Sequence, residues 1–181
     1  QLGAVNSVNW ARVLAQIVYY GYASLKTPTA AQFSVPTGNF GNVFAAYLAQ
    51  RMGFPINKLI VATNENDILA RFFATGEYAS GEVHQTVSPA MDIQVASNFE
   101  RFLFYYFGED SQRLRGFMSD FATTGRAGLG AAPETSLFAA VAIDQTQTLA
   151  VMRDINARFD YVLDPHTAVG VAAAQQLCVA D

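Results

Sequence analysis

The stretch that decides the fold is residues 33–62, FSVPTGNFGNVFAAYLAQRMGFPINKLIVA. Its two apolar runs, at 33–36 and 58–62, predict short strands that are covered on both faces, as in a parallel sheet. Residues 43–52 predict a helix that ends before Gly53. Strand, glycine turn, helix and strand together form a βαβ unit, so the sequence predicts an α/β protein with a mainly parallel sheet.

The remaining chain is read in the same way. Apolar residues at helical spacing, together with capping signals, predict six more helices. These helices span residues 7–25, 68–74, 97–107, 111–123, 145–159 and 167–178, and Ser7 is the predicted N-cap of the first. Short strands are predicted near Val83 and at 161–163, and a mobile loop at the glycine- and alanine-rich residues 124–134. No repeat or linker divides the chain, so residues 1–181 are predicted to lie in one domain without an internal boundary.

Composition narrows the classes of function. The chain has 181 residues and a net charge of −4, with its basic residues scattered, which disfavours nucleic acid as a partner. No apolar stretch is long enough for a transmembrane helix, and the N-terminus lacks the layout of a signal peptide. The single cysteine, Cys178, excludes an internal disulfide and is expected to be a small core residue. These features predict a cytoplasmic protein that does not bind membranes.

The sharpest chemical feature is the turn Gly38-Asn39-Phe40-Gly41-Asn42 between a buried strand and a helix. Backbone amides at a helix start are unpaired and attract anions, and glycines allow a ligand to approach closely. The turn matches neither the dinucleotide-binding nor the triphosphate-binding glycine motif. Its residues alone therefore leave two interpretations open, a phosphate cradle and a tight connection with no ligand.

Several segments, in order along the chain, resemble the threonine synthases, with little of the resemblance falling at 108–160. They are NSVNWARVLAQIVYY (6–20), SVPTGNFGNVFAAYLAQRMGFPINKLIVATNENDILARFF (34–73), SPAMDIQVASNFERFLF (88–104) and LDPHTAVGVAAA (163–174). The resemblance implies part of the large domain of a fold-type II pyridoxal phosphate enzyme, a three-layer fold like that of the tryptophan synthase β subunit. The implied reaction converts O-phosphohomoserine and water to threonine and phosphate, in an enzyme that is a monomer or homodimer.

Site residues are carried over by position. The resemblance implies that Gly38, Asn39, Phe40, Gly41 and Asn42 hold the phosphate of pyridoxal 5′-phosphate. It also implies that Asn6, Ser7, Arg12 and Asn39 bind the substrate, the first three by gripping its phosphate. Neither Lys26 nor Lys58 matches the family's Schiff-base lysine motif, so no catalytic residue is assigned and the 181 residues are expected to be an inactive fragment on their own.

Three alternatives stay open. One is a related phospho-lyase or dehydratase, the second is a non-catalytic protein that binds a phosphate ligand and has lost the lysine, and the third is a Rossmann-like nucleotide-binding domain. No metal site is predicted. His84 is expected on the surface, His166 either near the cofactor or packed at a helix cap, and Asp92 and Asn98 in positions that order a loop near the site.

Overall fold

The computed structural model describes residue 6 and residues 8–178. Its elements, in chain order, are α1 (Trp10–Ser24), β1 (Ala31–Pro36), α2 (Gly41–Arg51), β2 (Ile56–Thr63), α3 (Ile68–Thr75), β3 (Glu77–Ala79), α4 (Phe99–Tyr106), α5 (Ser111–Thr124), β4 (Arg126–Gly128), β5 (Phe138–Ala142), α6 (Gln145–Phe159) and α7 (Pro165–Leu177). A single 3-10 turn, Pro89–Met91, precedes α4.

The main sheet is parallel and has the order β1-β2-β5. Consecutive residues of β2 point to opposite faces, and both faces are covered. Leu59 and Val61 pack into a large core with α1 to α5, while Ile60 and Ala62 pack into a second core with Ile143 and α7. Helices therefore cover both sides of the sheet, and the predicted three-layer α/β fold with its βαβ unit is confirmed.

The larger core is unusually rich in aromatic rings. Phe40, at the start of α2, lies within 5.2 to 6.3 Å of the rings of Phe73, Phe99, Phe102 and Phe138, measured between ring centroids. Such ring pairs stabilise a core beyond the area that they bury. The aromatic residues of α4 therefore belong to the core, where Phe99 and Phe102 pack against Phe40 in the turn that precedes α2.

Several predicted boundaries and elements were wrong. The N-cap of α1 is Asn9, whose side chain accepts from the Ala11 amide, and the predicted cap Ser7 lies outside the described residues. Residues 161–163 form no strand, and Val162 is 78% exposed, because no neighbouring strand pairs with them. The strand expected near Val83 lies instead at β3, which pairs with β4 inside the predicted loop 124–134.

β5, with the sequence FAAVA, was not predicted. Its alanines carry a weak strand signal, yet it completes the sheet beside β2, where Leu59 pairs with Phe138. Cys178 was predicted in the core and is exposed, because it follows the last residue of α7. Within residues 6 and 8–178, no helix is long and apolar enough to cross a bilayer, and no cluster of three possible metal ligands is found.

Candidate functional site

A cavity of about 230 Å³ opens where β1 ends and α2 begins. Its wall includes Arg12 and Gln16 of α1, Gly38 and Asn39 of the turn, and His166 of α7. Among its described lining residues there is no carboxylate, whereas Arg12 supplies a permanent positive charge. The carboxyl end of a parallel strand is where open α/β sheets bind ligands, so position and charge together indicate an anion site.

The turn is shaped by Phe40 rather than by a glycine. Phe40 is the N-cap of α2 and adopts the left-handed conformation, with φ of 62°, while its ring is fully buried. A left-handed backbone is unfavourable for a bulky residue and persists only where the surroundings impose it. Here the aromatic core imposes it, and the backbone is thereby turned into the first turn of α2.

Two amides of the turn are already paired with side chains of the turn itself. Thr37 Oγ1 accepts from the Phe40 amide at 3.1 Å, and Asn39 Oδ1 accepts from the Gly41 amide at 2.9 Å. The amides of Asn42 and Val43 belong to the first turn of α2, where no intrahelical acceptor exists. The amides of Asn42 and Val43 can therefore donate to an anion. If the Asn39 side chain moved away, the Gly41 amide could donate to the anion as well.

The two glycines are needed for packing against protein atoms. A Cβ added to Gly38 would lie 3.0 Å from Met91 Cα and 3.1 Å from the Ile93 side chain. A Cβ added to Gly41 would lie 3.1 Å from Asn39 Oδ1 and 3.2 Å from Asn98 Nδ2. The glycines thus allow the turn to sit tightly on the segment 91–98, a packing role in addition to the expected close approach of a ligand.

Asn98 holds the turn from below. It is fully buried, and both its amide and its side-chain nitrogen donate to the carbonyl oxygen of Asn39, at 3.0 and 3.2 Å. Its own side-chain oxygen accepts from Arg101 at 2.7 Å. The expectation that Asn98 orders a loop near the site is confirmed.

Asp92 orders the opposite wall. Its carboxylate accepts from the amide and the hydroxyl of Thr86, at 2.8 and 2.7 Å, and from Asn64 Nδ2 at 2.7 Å. Asn66 Nδ2 also donates to it, at 3.2 Å. This polar network joins the end of β2 to the segment that carries Ala90 and Met91, both of which line the cavity.

Asn42 is oriented by α1. The buried hydroxyl of Tyr20 donates to Asn42 Oδ1, which leaves the side-chain amide nitrogen of Asn42 as the free donor of the pair. Burial raises the pKa of Tyr20 above its ordinary value, which favours the protonated hydroxyl that donates this bond. The bond also ties α1 to the first turn of α2.

Arg12 and Gln16 lie four residues apart on α1 and face the cavity from one side of the helix. The side-chain oxygen of Gln16 is buried and has no hydrogen-bond partner within the described residues. A buried amide oxygen without a partner is costly and fits a site that a polar ligand completes. Sequence reasoning missed Gln16, although its spacing from Arg12 is a usable signal.

His166 lines the cavity, but both of its ring nitrogens already have hydrogen-bond partners in the protein. The Ala90 amide donates to its Nε2 at 3.2 Å, so its proton lies on Nδ1, which is 2.9 Å from Asp164 Oδ1. The bond from His166 lowers the pKa of Asp164, and the amides of His166 and Thr167 lower it further. Of the two roles considered for His166, the geometry favours packing at the cap of α7.

Asn6 and the two lysines, Lys26 and Lys58, are not among the described residues that line the cavity. Asn6 is exposed, its side-chain oxygen accepts from the Val8 amide, and it is not among the described lining residues. Ser7 lies outside the described part of the chain. Lys58 donates to the Ser136 carbonyl, and Lys26 lies over the Tyr22 ring, so neither lysine reaches the site.

Comparison with known proteins identifies close relatives along almost the whole chain, although no protein-family model matches it. The threonine synthase of Corynebacterium glutamicum is 44% identical over 189 residues, which cover 97% of this chain and 39% of that relative. The crystal structure of the PLP-bound threonine synthase from Brucella melitensis superposes with a TM-score of 0.94 at 45% identity, covering 99% of this chain and 40% of that one. The yeast threonine synthase gives a TM-score of 0.88 at 38% identity, covering 97% of this chain and 39% of that one. The chain thus spans about two fifths of the length of the relatives that it matches.

Proposed function

We propose, from the premise that this chain belongs to the threonine synthase family, that its cavity at the start of α2 holds pyridoxal 5′-phosphate and O-phosphohomoserine. The whole protein would convert O-phosphohomoserine and water to threonine and phosphate. One observation carries the proposal: a helix start, Arg12 and side-chain amides converge on a cavity whose described lining contains no carboxylate.

The cavity fits a phosphate-bearing cofactor. The first turn of α2 and Asn42 both border the cavity, and the positive end of the helix dipole lies there as well. Gly38 to Asn42 would hold the cofactor's phosphate. When bound, pyridoxal phosphate supplies an electron sink for the carbon chemistry of the substrate.

Arg12 would bind the phosphate of O-phosphohomoserine. Its guanidinium fork matches a phosphate in two parallel hydrogen bonds, and α1 places it on the wall that faces the turn. Gln16, one helical turn further along the same wall, has an unpaired oxygen that would accept from a donor of the bound substrate. Asn39, whose side-chain oxygen accepts from the Gly41 amide, lines the same cavity as Arg12 and would contact both ligands.

The lysine that holds the cofactor is assigned to a part of the protein outside these 181 residues. Both lysines of the chain are engaged elsewhere, as described above, and neither lines the cavity. The residues described here would bind, orient and enclose the ligands. Cytoplasmic location and a monomeric or homodimeric state stay predictions.

The test uses the full-length protein with pyridoxal phosphate and measures threonine and phosphate released from O-phosphohomoserine. Formation of a 2-oxo acid in place of threonine would indicate the dehydratase alternative. Arg12→Ala is compared with Arg113→Ala, which removes an arginine of α5 that lies over the Phe107 ring. A charge-assisted bidentate contact contributes about 1.5–3 kcal/mol, so Arg12→Ala should raise KM about tenfold or more. A KM shift below about twofold would contradict the role of Arg12.

A further inference from the structure

We propose that Arg101 is a positioning residue that keeps the substrate's phosphate site in register with the cofactor's phosphate site. It does not line the cavity. It acts instead through two bonds, one toward the turn before α2 and one toward the start of α1. The inference rests on the proposed function in one respect, since it takes Arg12 as the group that binds the substrate's phosphate.

The first bond leads to the turn. Arg101 Nη1 donates to Asn98 Oδ1 at 2.7 Å. This bond fixes the orientation of the Asn98 amide, so that its nitrogen faces the Asn39 carbonyl at 3.2 Å. Asn98 Nδ2 also lies 3.4 Å from Ser97 Oγ, but a hydroxyl can donate or accept and does not select one orientation of the amide. Arg101 therefore decides the orientation, because without it the Asn98 oxygen could face the Asn39 carbonyl, where two acceptors would repel.

The second bond leads to α1. Arg101 Nη2 donates to the Val8 carbonyl at 2.6 Å, and the guanidinium lies 5.1 Å from the centre of the Trp10 ring. Val8 immediately precedes Asn9, the N-cap whose carbonyl accepts from the Arg12 amide at 3.1 Å. Arg101 therefore anchors the turn from which Arg12 enters the cavity.

The guanidinium is suited to this bridge because its donors are planar and fixed in direction, so that two partners are held at a set distance. A lysine at the same position would keep the positive charge, but it has a single flexible ammonium group. The Arg101→Lys variant therefore tests the two-bond geometry of the guanidinium separately from its positive charge. Glutamine removes the charge and keeps only one planar amide, and it serves as a second variant.

The experiment compares full-length wild type, Arg101→Lys, Arg101→Gln and the control Arg113→Lys, whose arginine lies over the Phe107 ring as Arg101 lies over Trp10. We expect both Arg101 variants to raise the KM for O-phosphohomoserine at least fivefold, with kcat changed less than twofold and the control unchanged. A normal KM in Arg101→Lys would overturn the bridge, because charge alone would then suffice.

A double-mutant cycle with Arg12→Ala tests the route of the effect. If Arg101 acts by placing Arg12, then Arg101→Lys should change KM less than twofold once Arg12 has been removed. The same fivefold increase in both backgrounds would overturn the proposal, because a general loss of stability would act equally in both.

A second readout separates this inference from the proposed function. The dissociation constant of inorganic phosphate, measured by calorimetry on the same variants, does not require turnover. If wild type forms no threonine, the proposed function fails. The double-mutant cycle measured with phosphate dissociation constants then still decides whether Arg101 places Arg12. If wild type forms threonine and Arg101→Lys binds phosphate as wild type does, the present inference fails alone.

Discussion

Asn98 donates twice to one oxygen atom, the carbonyl of Asn39, although the two residues are 59 positions apart. One donor is the main-chain amide and the other the side-chain nitrogen. The carbonyl belongs to the turn that precedes α2, so the cradle is held by a contact that no local pattern encodes. The start of α4 and the start of α2 are thereby joined directly under the proposed phosphate site.

Asn98→Ala keeps the main-chain bond and removes the side-chain bond, and it also leaves Arg101 without one acceptor. Loss of a buried polar side chain that bonds to Asn39, Ser97 and Arg101 should lower the free energy of unfolding by about 1–3 kcal/mol. Pyridoxal phosphate should bind several-fold more weakly, as measured by cofactor absorbance. Asn156→Ala, at an exposed position of α6, is the matched control and should leave both quantities nearly unchanged. Equal stability and equal cofactor affinity of the two variants would show that the Asn98 side-chain bond to Asn39 contributes to neither.

Gly41→Ala should damage the cradle from inside the protein. The new Cβ would stand 3.1 Å from Asn39 Oδ1 and 3.2 Å from Asn98 Nδ2, both of which take part in the bonds of the turn. We expect lower thermal stability and weaker cofactor binding. Gly116→Ala is the control, because a Cβ there meets nothing within 4 Å and the residue lies within α5. Alanine should stabilise that helix by about 0.5–1 kcal/mol, so the two substitutions should shift the melting temperature in opposite directions.

Part of this architecture could be predicted from the sequence, because β1, α2 and β2 each carry a strong local pattern. The apolar strands and the glycine turn were visible there, whereas Arg12 as a site residue was implied only by the resemblance to the threonine synthases. β5 was missed because its alanines resemble helix or loop as much as strand. For Asn98 only a position that orders a loop near the site could be expected, whereas its bond to Asn39 and the bond of Arg101 to Val8 were not visible, since each joins residues far apart in the chain. The left-handed backbone of Phe40 was also hidden, because it is imposed by the aromatic core rather than by the residue's own preference.

Gln16→Glu should oppose anion binding. The change is nearly isosteric, but it brings a carboxylate into a cavity whose described lining has none. We expect the dissociation constant of inorganic phosphate to rise about tenfold in the full-length protein. Gln175→Glu, at an exposed position of α7, is the control and should have no effect. Unchanged phosphate affinity in Gln16→Glu would place the anion away from α1.

Asp164 gives a pH-dependent prediction. The bond from His166 and the amide bonds at the start of α7 lower its pKa below the usual value of 3.8. On acidification the unfolded chain therefore takes up this proton before the folded one does, so the stabilisation is present above pH 3.8 and is lost as the pH falls through the folded-state pKa. Asp164→Asn removes the titration. Its melting temperature should be below that of wild type at neutral pH, and the difference should shrink below pH 3.8. A difference that is constant with pH would show that the charge of Asp164 is not involved.

The most direct test of the central claim is the position of the cofactor's phosphorus atom in a crystal structure of the full-length protein with pyridoxal phosphate. Our account predicts the phosphate at the start of α2, with its oxygens about 2.7–3.2 Å from backbone amides of residues 38–43. A phosphate bound elsewhere, with this corner filled by a protein side chain, would contradict the account.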